Sequence, residues 1–278
     1  MPPVNASGFV PVNGGRIYYE VEGSGHPLLL IHCGLGNLRQ WDPHVPLFAE
    51  RYRVIRYDTR GFGRTETDDV EFTNVADAVA VLDHVGAGSA YVLGHSRGGM
   101  IGLDVALEHP DRVRAFISVA SGVGGYRPEL PPGVEGEPEA ELERLWKAKD
   151  WERLAELETQ VWVDGWGQPA TRVDPNIRRT VHDWILTTYR QERSEGKPQP
   201  IRPPAVERLG DLRCPTLVMV GLADEPGGVR SGRHLAESVA GARLVEFPGV
   251  AHMINLEEPQ RFGDLVLEFL AEVDRKRA

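Results

Sequence analysis

Three polar side chains stand out by their chemistry and by where the chain delivers them: Ser96, Asp224 and His252. A serine hydroxyl is a weak nucleophile near neutral pH. An imidazole that takes its proton activates it, and a carboxylate holds the imidazole tautomer and stabilises the imidazolium that forms. Ser96 lies in Gly94-His95-Ser96-Arg97-Gly98, the G-x-S-x-G spacing of a nucleophile elbow. Residues two before and two after such a serine crowd a tight turn, so glycine is favoured there, and the strained serine is left exposed. The chemistry implied is attack on a carbonyl carbon. The same five residues would also serve as an ordinary serine N-cap between a strand and a helix, so the surrounding elements must decide.

Ala90-Tyr91-Val92-Leu93 is β-prone, and Met100 to Leu107 carries a helical pattern. Ser96 therefore falls on strand, turn, helix, with the helix N–H groups and positive dipole end turned toward it. The same rhythm runs through most of the chain. Phe9–Val12 and Arg16–Val21 flank Asn13-Gly14-Gly15 as an antiparallel hairpin. Pro27–His32, Arg53–Tyr57, Val113–Val119, Pro215–Gly221 and Ala242–Phe247 read as strands. Helices are predicted over about 41–50, 73–85, 229–239 and, after the loop Pro248–Asn255, to about Asp274. Strand and helix in alternation predict an α/β fold with a mostly parallel sheet covered on both faces. Ser96, Asp224 and His252 each follow the carboxyl end of a strand, the edge where open α/β sheets bind ligands.

The rhythm breaks after Ser121. Residues 122–138 are rich in Gly, Pro and Glu, and 139–193 read as helices alone. This divides the chain into a core of residues 1–122 and 206–278 and a helical lid over 123–205. Five of the six tryptophans lie in that lid, and Trp162 is the one expected to face a substrate pocket.

Composition bounds the rest. The 278 residues carry a formal charge of −10, which argues against nucleic acid or an anionic membrane surface as partner. No apolar run approaches membrane-spanning length. The N-terminal residues lack the basic and apolar regions of a secretory signal. Cys33 and Cys214 form no paired framework, so two buried free thiols and a cytoplasmic protein are expected. No His and Cys spacing supports a metal site.

His32-Cys33-Gly34-Leu35-Gly36, the run from Tyr57 to Thr65, Gly94–Gly99, Gly221-Leu222-Ala223-Asp224 and Pro248–His252 together resemble the α/β-hydrolase fold superfamily, in its single-lid group of serine esterases, enol-lactonases and C–C hydrolases. The order Ser, Asp, His along the chain is that of the superfamily. The resemblance runs from about Phe9 to Asp274 and implies an eight-stranded sheet. It further implies a catalytic triad of Ser96, Asp224 and His252 and no cofactor. Oxyanion-hole N–H groups are expected from Arg97 and Gly34, with Cys33 as the alternative donor and as a pocket residue. Asp58, His32 and His95 are read as bracing loops, and the Arg97 side chain as paired with an acid rather than reaching a substrate carboxylate. The implied activity is hydrolysis of a small carboxylic ester or lactone. A C–C hydrolase of ring-cleavage diketones, a perhydrolase side activity and a non-turnover small-molecule receptor are the alternatives. A homodimer is common among such folds.

Overall fold

The computed structural model describes residues 5–130, 132 and 138–276. Met1–Val4, on which the reading of the N-terminus falls, and residues 131 and 133–137 of the Gly-, Pro- and Glu-rich stretch lie outside those described. The chain opens with the hairpin β1 (Ala6–Val12) and β2 (Gly15–Glu22). Val12 pairs with Gly15, so Asn13-Gly14 form the turn, and Gly14 takes φ +62°, open to glycine without strain. Then come β3 (His26–Ile31), β4 (Tyr52–Tyr57), the short β5 (Glu66–Thr67) and β6 (Glu71–Phe72), β7 (Ala90–His95), β8 (Val113–Val119), the short β9 (Lys197–Pro198), β10 (Thr216–Gly221) and β11 (Arg243–Phe247).

The expected path of eight strands is present in the order β1-β2-β4-β3-β7-β8-β10-β11, and β5 adds a ninth against β2. From β4 to β11 every pairing is parallel. β6 and β9 form a separate parallel pair that ties the return of the helical segment to the core.

The helices are α1 (Val45–Ala49), α2 (Asn74–His84), α3 (Arg97–Glu108), α4 (Glu139–Ala148), α5 (Trp151–Glu158), α6 (Pro175–Arg190), α7 (Pro226–Ser238), α8 (Ile254–Glu257) and α9 (Pro259–Arg275). The single helix expected over 41–50 is instead a 3-10 turn, Leu38–Trp41, followed by α1. Pro43 and Pro46 lack the N–H groups that a continuous helix would need there. Among the described residues no helix is long and apolar enough to cross a membrane.

Alternation along the buried strands sends side chains to both faces. Leu29, Ile31, Val92 and Phe116 join the apolar layer under α2, α3 and α7. Leu28, Leu30, Tyr91 and Ile117 join the opposite layer under α1 and α9. Between β8 and β10 the chain leaves the sheet and builds α4, α5 and α6. A third apolar cluster joins this helical segment to the ends of the sheet, with Ala155, Val163, Val181 and Ile185 against Cys33, Leu35 and Met253.

Candidate active site

Ser96 sits between the last residue of β7 and the first of α3, at φ 53° and ψ −117°. A non-glycine residue held there costs about 1–3 kcal/mol, and such strain persists only when the surroundings fix it. The surroundings here are main chain. A Cβ on Gly94 would lie 2.1 Å from the Gly98 carbonyl oxygen, and one on Gly98 would lie 2.2 Å from that of Ile31. The Ser96 N–H donates to the Val119 carbonyl at 2.8 Å, and the Ser121 hydroxyl donates to the Ser96 carbonyl at 2.9 Å. The elbow is thus clamped between β3 and β8, and Ser96 remains half-buried rather than covered.

Asp224 and His252 meet after β10 and β11. His252 Nδ1 lies 2.8 Å from Asp224 Oδ2. An ionised carboxylate only accepts, so Nδ1 carries the proton and Nε2 presents a lone pair. The other Asp224 oxygen accepts the Glu225 N–H at 2.8 Å. Both side chains are almost fully buried, at 5% exposure for His252 and 1% for Asp224. Gly221 allows the two loops to touch, since a Cβ there would lie 2.1 Å from the Ala251 carbonyl oxygen. Ser96 and His252 line one cavity of about 610 Å³ together with Trp162, Tyr126, Arg127 and Glu225. No hydrogen bond joins the Ser96 hydroxyl to His252 in this arrangement. In ligand-free sites such contacts are often long and tighten on substrate binding.

The loop after β3 is set by two histidines and a glutamine. His32 Nε2 accepts the Thr59 N–H at 2.9 Å, so its Nδ1 carries a proton and donates to the Cys33 carbonyl at 2.6 Å. Burial pushes the His32 pKa down to about 3, which keeps the ring neutral. In a planar trans peptide the N–H points opposite to the C=O. Fixing the Cys33 carbonyl toward His32 therefore turns the Gly34 N–H away from it, on a residue that is exposed. The Cys33 N–H is engaged by Gln40 Oε1 at 2.9 Å. The same Gln40 amide donates from Nε2 to His95 Nδ1 at 3.1 Å, and His95 Nε2 donates to the His252 carbonyl at 2.9 Å. Burial holds the His95 pKa well below its ordinary value. One buried chain of hydrogen bonds thus joins the β3 loop to the backbone of His252. At the start of α3 the Arg97 N–H precedes the first intrahelical acceptor, as any first-turn N–H does.

Other expected residues fall as follows. Asp58 accepts the Leu38 N–H at 2.9 Å and the Arg64 N–H at 2.7 Å, a loop brace as read from the sequence. Cys33 is fully buried in the third apolar cluster, and burial pushes its thiol pKa up to about 12. It is absent from the lining of the Ser96 cavity. Trp162 lines that cavity, its ring centroid 4.8 Å from the His252 imidazole. The pairing expected for Arg97 is not found: no acid lies within ion-pair distance of it among the described residues. Its guanidinium instead lies over the Phe62 ring, 5.0 Å from the centroid, and burial lowers its pKa. Gln40, Arg172 and Glu257 were not anticipated. Their partners lie far along the chain, and no local pattern marks them.

A family model described as alpha/beta hydrolase fold matches residues 26–259. The chain is 29% identical over 284 residues to a putative carbamate hydrolase of Azorhizobium caulinodans, covering 93% of this chain and 96% of that protein. It is 30% identical over 289 residues to the 2-hydroxymuconate semialdehyde hydrolase of a Pseudomonas species, covering 94% of this chain and 92% of that one. Among solved structures it is similar to the enol-lactonase of Burkholderia xenovorans, with a TM-score of 0.74, 23% identity, and coverage of 95% and 100%. An esterase of a Rhodococcus species gives a TM-score of 0.78, 24% identity, and coverage of 98% and 100%. At those identities the two structures speak to the fold alone.

Proposed function

The chain belongs to the alpha/beta hydrolase fold family, and from that premise we propose that it is a serine hydrolase that cleaves a small carboxylic ester or lactone through an acyl-enzyme, with water as the acceptor. The observation that carries this reading is the buried His252–Asp224 pair, 2.8 Å apart, beside a cavity that also holds the strained Ser96. In this reading Ser96 Oγ attacks the carbonyl carbon as its proton passes to His252 Nε2. The carbonyl electron pair moves onto oxygen, where the Arg97 and Gly34 N–H groups stabilise it. Collapse breaks the bond to the leaving alkoxide, which takes the proton from His252. Water then repeats the sequence on the acyl-enzyme and frees Ser96. Asp224 holds the tautomer throughout. Residues 123–205 act as the cap, and Trp162 is its contribution to the pocket wall.

A second reading is a C–C bond hydrolase. It is favoured by the 30% identity to a 2-hydroxymuconate semialdehyde hydrolase and by Arg127 in the cavity lining. The test is a panel of short p-nitrophenyl esters, lactones, carbamates and ring-cleavage diketones, run on the wild type and on Ser96→Ala. Multiple turnover of esters or lactones, abolished by Ser96→Ala with the fold intact, supports the first reading. Preference for the diketones supports the second. A single slow turnover to a stable adduct indicates a receptor, and a Ser96→Ala variant that keeps most of its activity removes Ser96 as nucleophile.

A further inference from the structure

The acid and histidine loops are held from outside the sheet as well as from within it. Beyond α5 the chain makes a π-helical turn, Thr159–Asp164, a form that recurs at functional sites. The Trp162 carbonyl accepts the N–H of His252 at 3.2 Å, and the Trp166 N–H donates to the carbonyl of Ala223, the neighbour of Asp224, at 2.9 Å. Gly165 permits the approach, since a Cβ there would lie 2.6 Å from that same Ala223 oxygen. The main chain of the helical segment therefore touches His252 itself and the residue just before Asp224.

Arg172 locks this contact. Its Nη2 donates to the Val163 carbonyl at 2.6 Å and its Nε to the Asp164 carbonyl, both in the π-helical turn. Its Nη1 donates to the Gly249 carbonyl at 2.8 Å and to Glu257. The other Glu257 oxygen accepts the N–H of Ala251, next to His252, at 3.0 Å. The pair is 12% and 8% exposed. From the far side Arg178 grips the Asp164 carboxylate with two bonds, at 2.8 and 3.0 Å.

We propose that Arg172 and Glu257 are positioning residues: a buried clamp that fixes the backbone of residues 249–252 against the π-helical turn, and through it the His252 ring against Asp224 and Ser96. This rests on the reading of Ser96, Asp224 and His252 given above. Residues 159–166 are then a fixed part of the catalytic centre rather than a lid that lifts. Tyr126, Arg127 and Gly227 also line the cavity. The physical need is clear. During the reaction His252 must keep Nδ1 on Asp224 while Nε2 serves first Ser96 and then the leaving group. A guanidinium suits the task because its planar fork reaches several acceptors at once, which a lysine ammonium cannot do in fixed geometry.

The test uses the full chain with Arg172→Ala, Arg172→Lys and Glu257→Gln. Rates on a short p-nitrophenyl ester are normalised to sites titrated with a fluorophosphonate. Misplacement by about 1 Å costs on the order of 100-fold. Arg172→Ala should lose about that in kcat with KM changed by less than about threefold, the split expected for a transition-state effect. Guanidinium at tens of millimolar should restore part of the rate, and sodium chloride at equal ionic strength should not. The low-field proton resonance of the His252–Asp224 hydrogen bond should broaden or vanish in the variant. If Arg172→Ala does not fold, Arg172→Lys and Glu257→Gln carry the test, each expected to lose kcat rather than gain KM. Wild-type kcat per titrated site with only a lowered Tm would overturn the clamp. Equal hydrolysis by Ser96→Ala would instead remove the underlying reading, so the two failures are distinct.

Discussion

Substituting Gly98 by alanine tests how the elbow is built. A Cβ at Gly98 would lie 2.2 Å from the Ile31 carbonyl oxygen and 2.6 Å from that of His32. Both atoms are main chain at the end of β3 and cannot swing aside as a side-chain tip would. The elbow and β3 must part by close to an ångström, an overpacking that costs about 1–3 kcal/mol of stability. That separation runs between Arg97, one residue before Gly98, and Gly34, two residues after His32, so it widens the gap between the two N–H groups proposed to hold the oxyanion. Displacement of that size lowers kcat by about 100-fold, equivalent to about 2.7 kcal/mol of barrier. KM should change little, because the donors meet charge that develops only in the transition state. Gly88→Ala is the control, since no atom lies within 4 Å of the added Cβ and the residue is exposed. The assay is initial-rate hydrolysis of a short p-nitrophenyl ester per titrated site, with thermal unfolding alongside. A Gly98→Ala protein with kcat within about threefold of wild type would refute the reasoning, which ties the elbow's fit against β3 to the oxyanion geometry.

Further outcomes follow from the same geometry. Asp224→Asn keeps the shape, but its amide cannot both accept from His252 and accept the Glu225 N–H. Hydrolysis should fall by about 10⁴-fold with the fold retained, read by steady-state rates and circular dichroism. Gln40→Leu leaves the Cys33 N–H and His95 Nδ1 buried without partners; at about 1–3 kcal/mol for each such group, urea unfolding should register a clear loss, and unchanged stability counts against the network. For pH, His32 is pushed down to about 3 and His95 well below 6.5, both chiefly by burial. Their folded pKa values are depressed, so the stability they confer is present above 6.5 and lost as pH falls toward 3. Asp58 is raised by burial to about 6, so its contribution is full below 3.8 and is lost as pH rises through 6, the opposite direction. His44 is lowered by burial as well, while Asp77 and Asp104 are raised by it like Asp58, so the readout is a difference between proteins: the His32 part of the loss between pH 6.5 and about 3, measured by urea unfolding, should be missing from His32→Gln. A His32→Gln protein whose stability falls with pH as steeply as that of the wild type contradicts the prediction.

Much of this was legible without coordinates, for local reasons. The elbow could be read because its glycines are required by contacts within a few residues and with adjacent strands, and strand, turn, helix leaves a pattern in the sequence. Asp224 and His252 could be singled out because each directly follows a strand-like run, and parallel strands deliver their carboxyl ends to one edge. The helix misjudged over 41–50 was a local error of another kind, since Pro43 and Pro46 were present to break it.

What the sequence settled by itself is the α/β order; it also placed Ser96, Asp224 and His252 as candidates after the carboxyl ends of strands. What only the tertiary structure decided is which groups touch. Gln40 lies 55 residues from His95, and Arg172 lies 85 from Glu257. The Arg97 guanidinium rests on Phe62 rather than on an acid. Hydrophobic periodicity records the environment of a residue along its own element. A hydrogen bond between distant elements depends on how helices and loops pack against each other, and that packing is set by the whole chain at once.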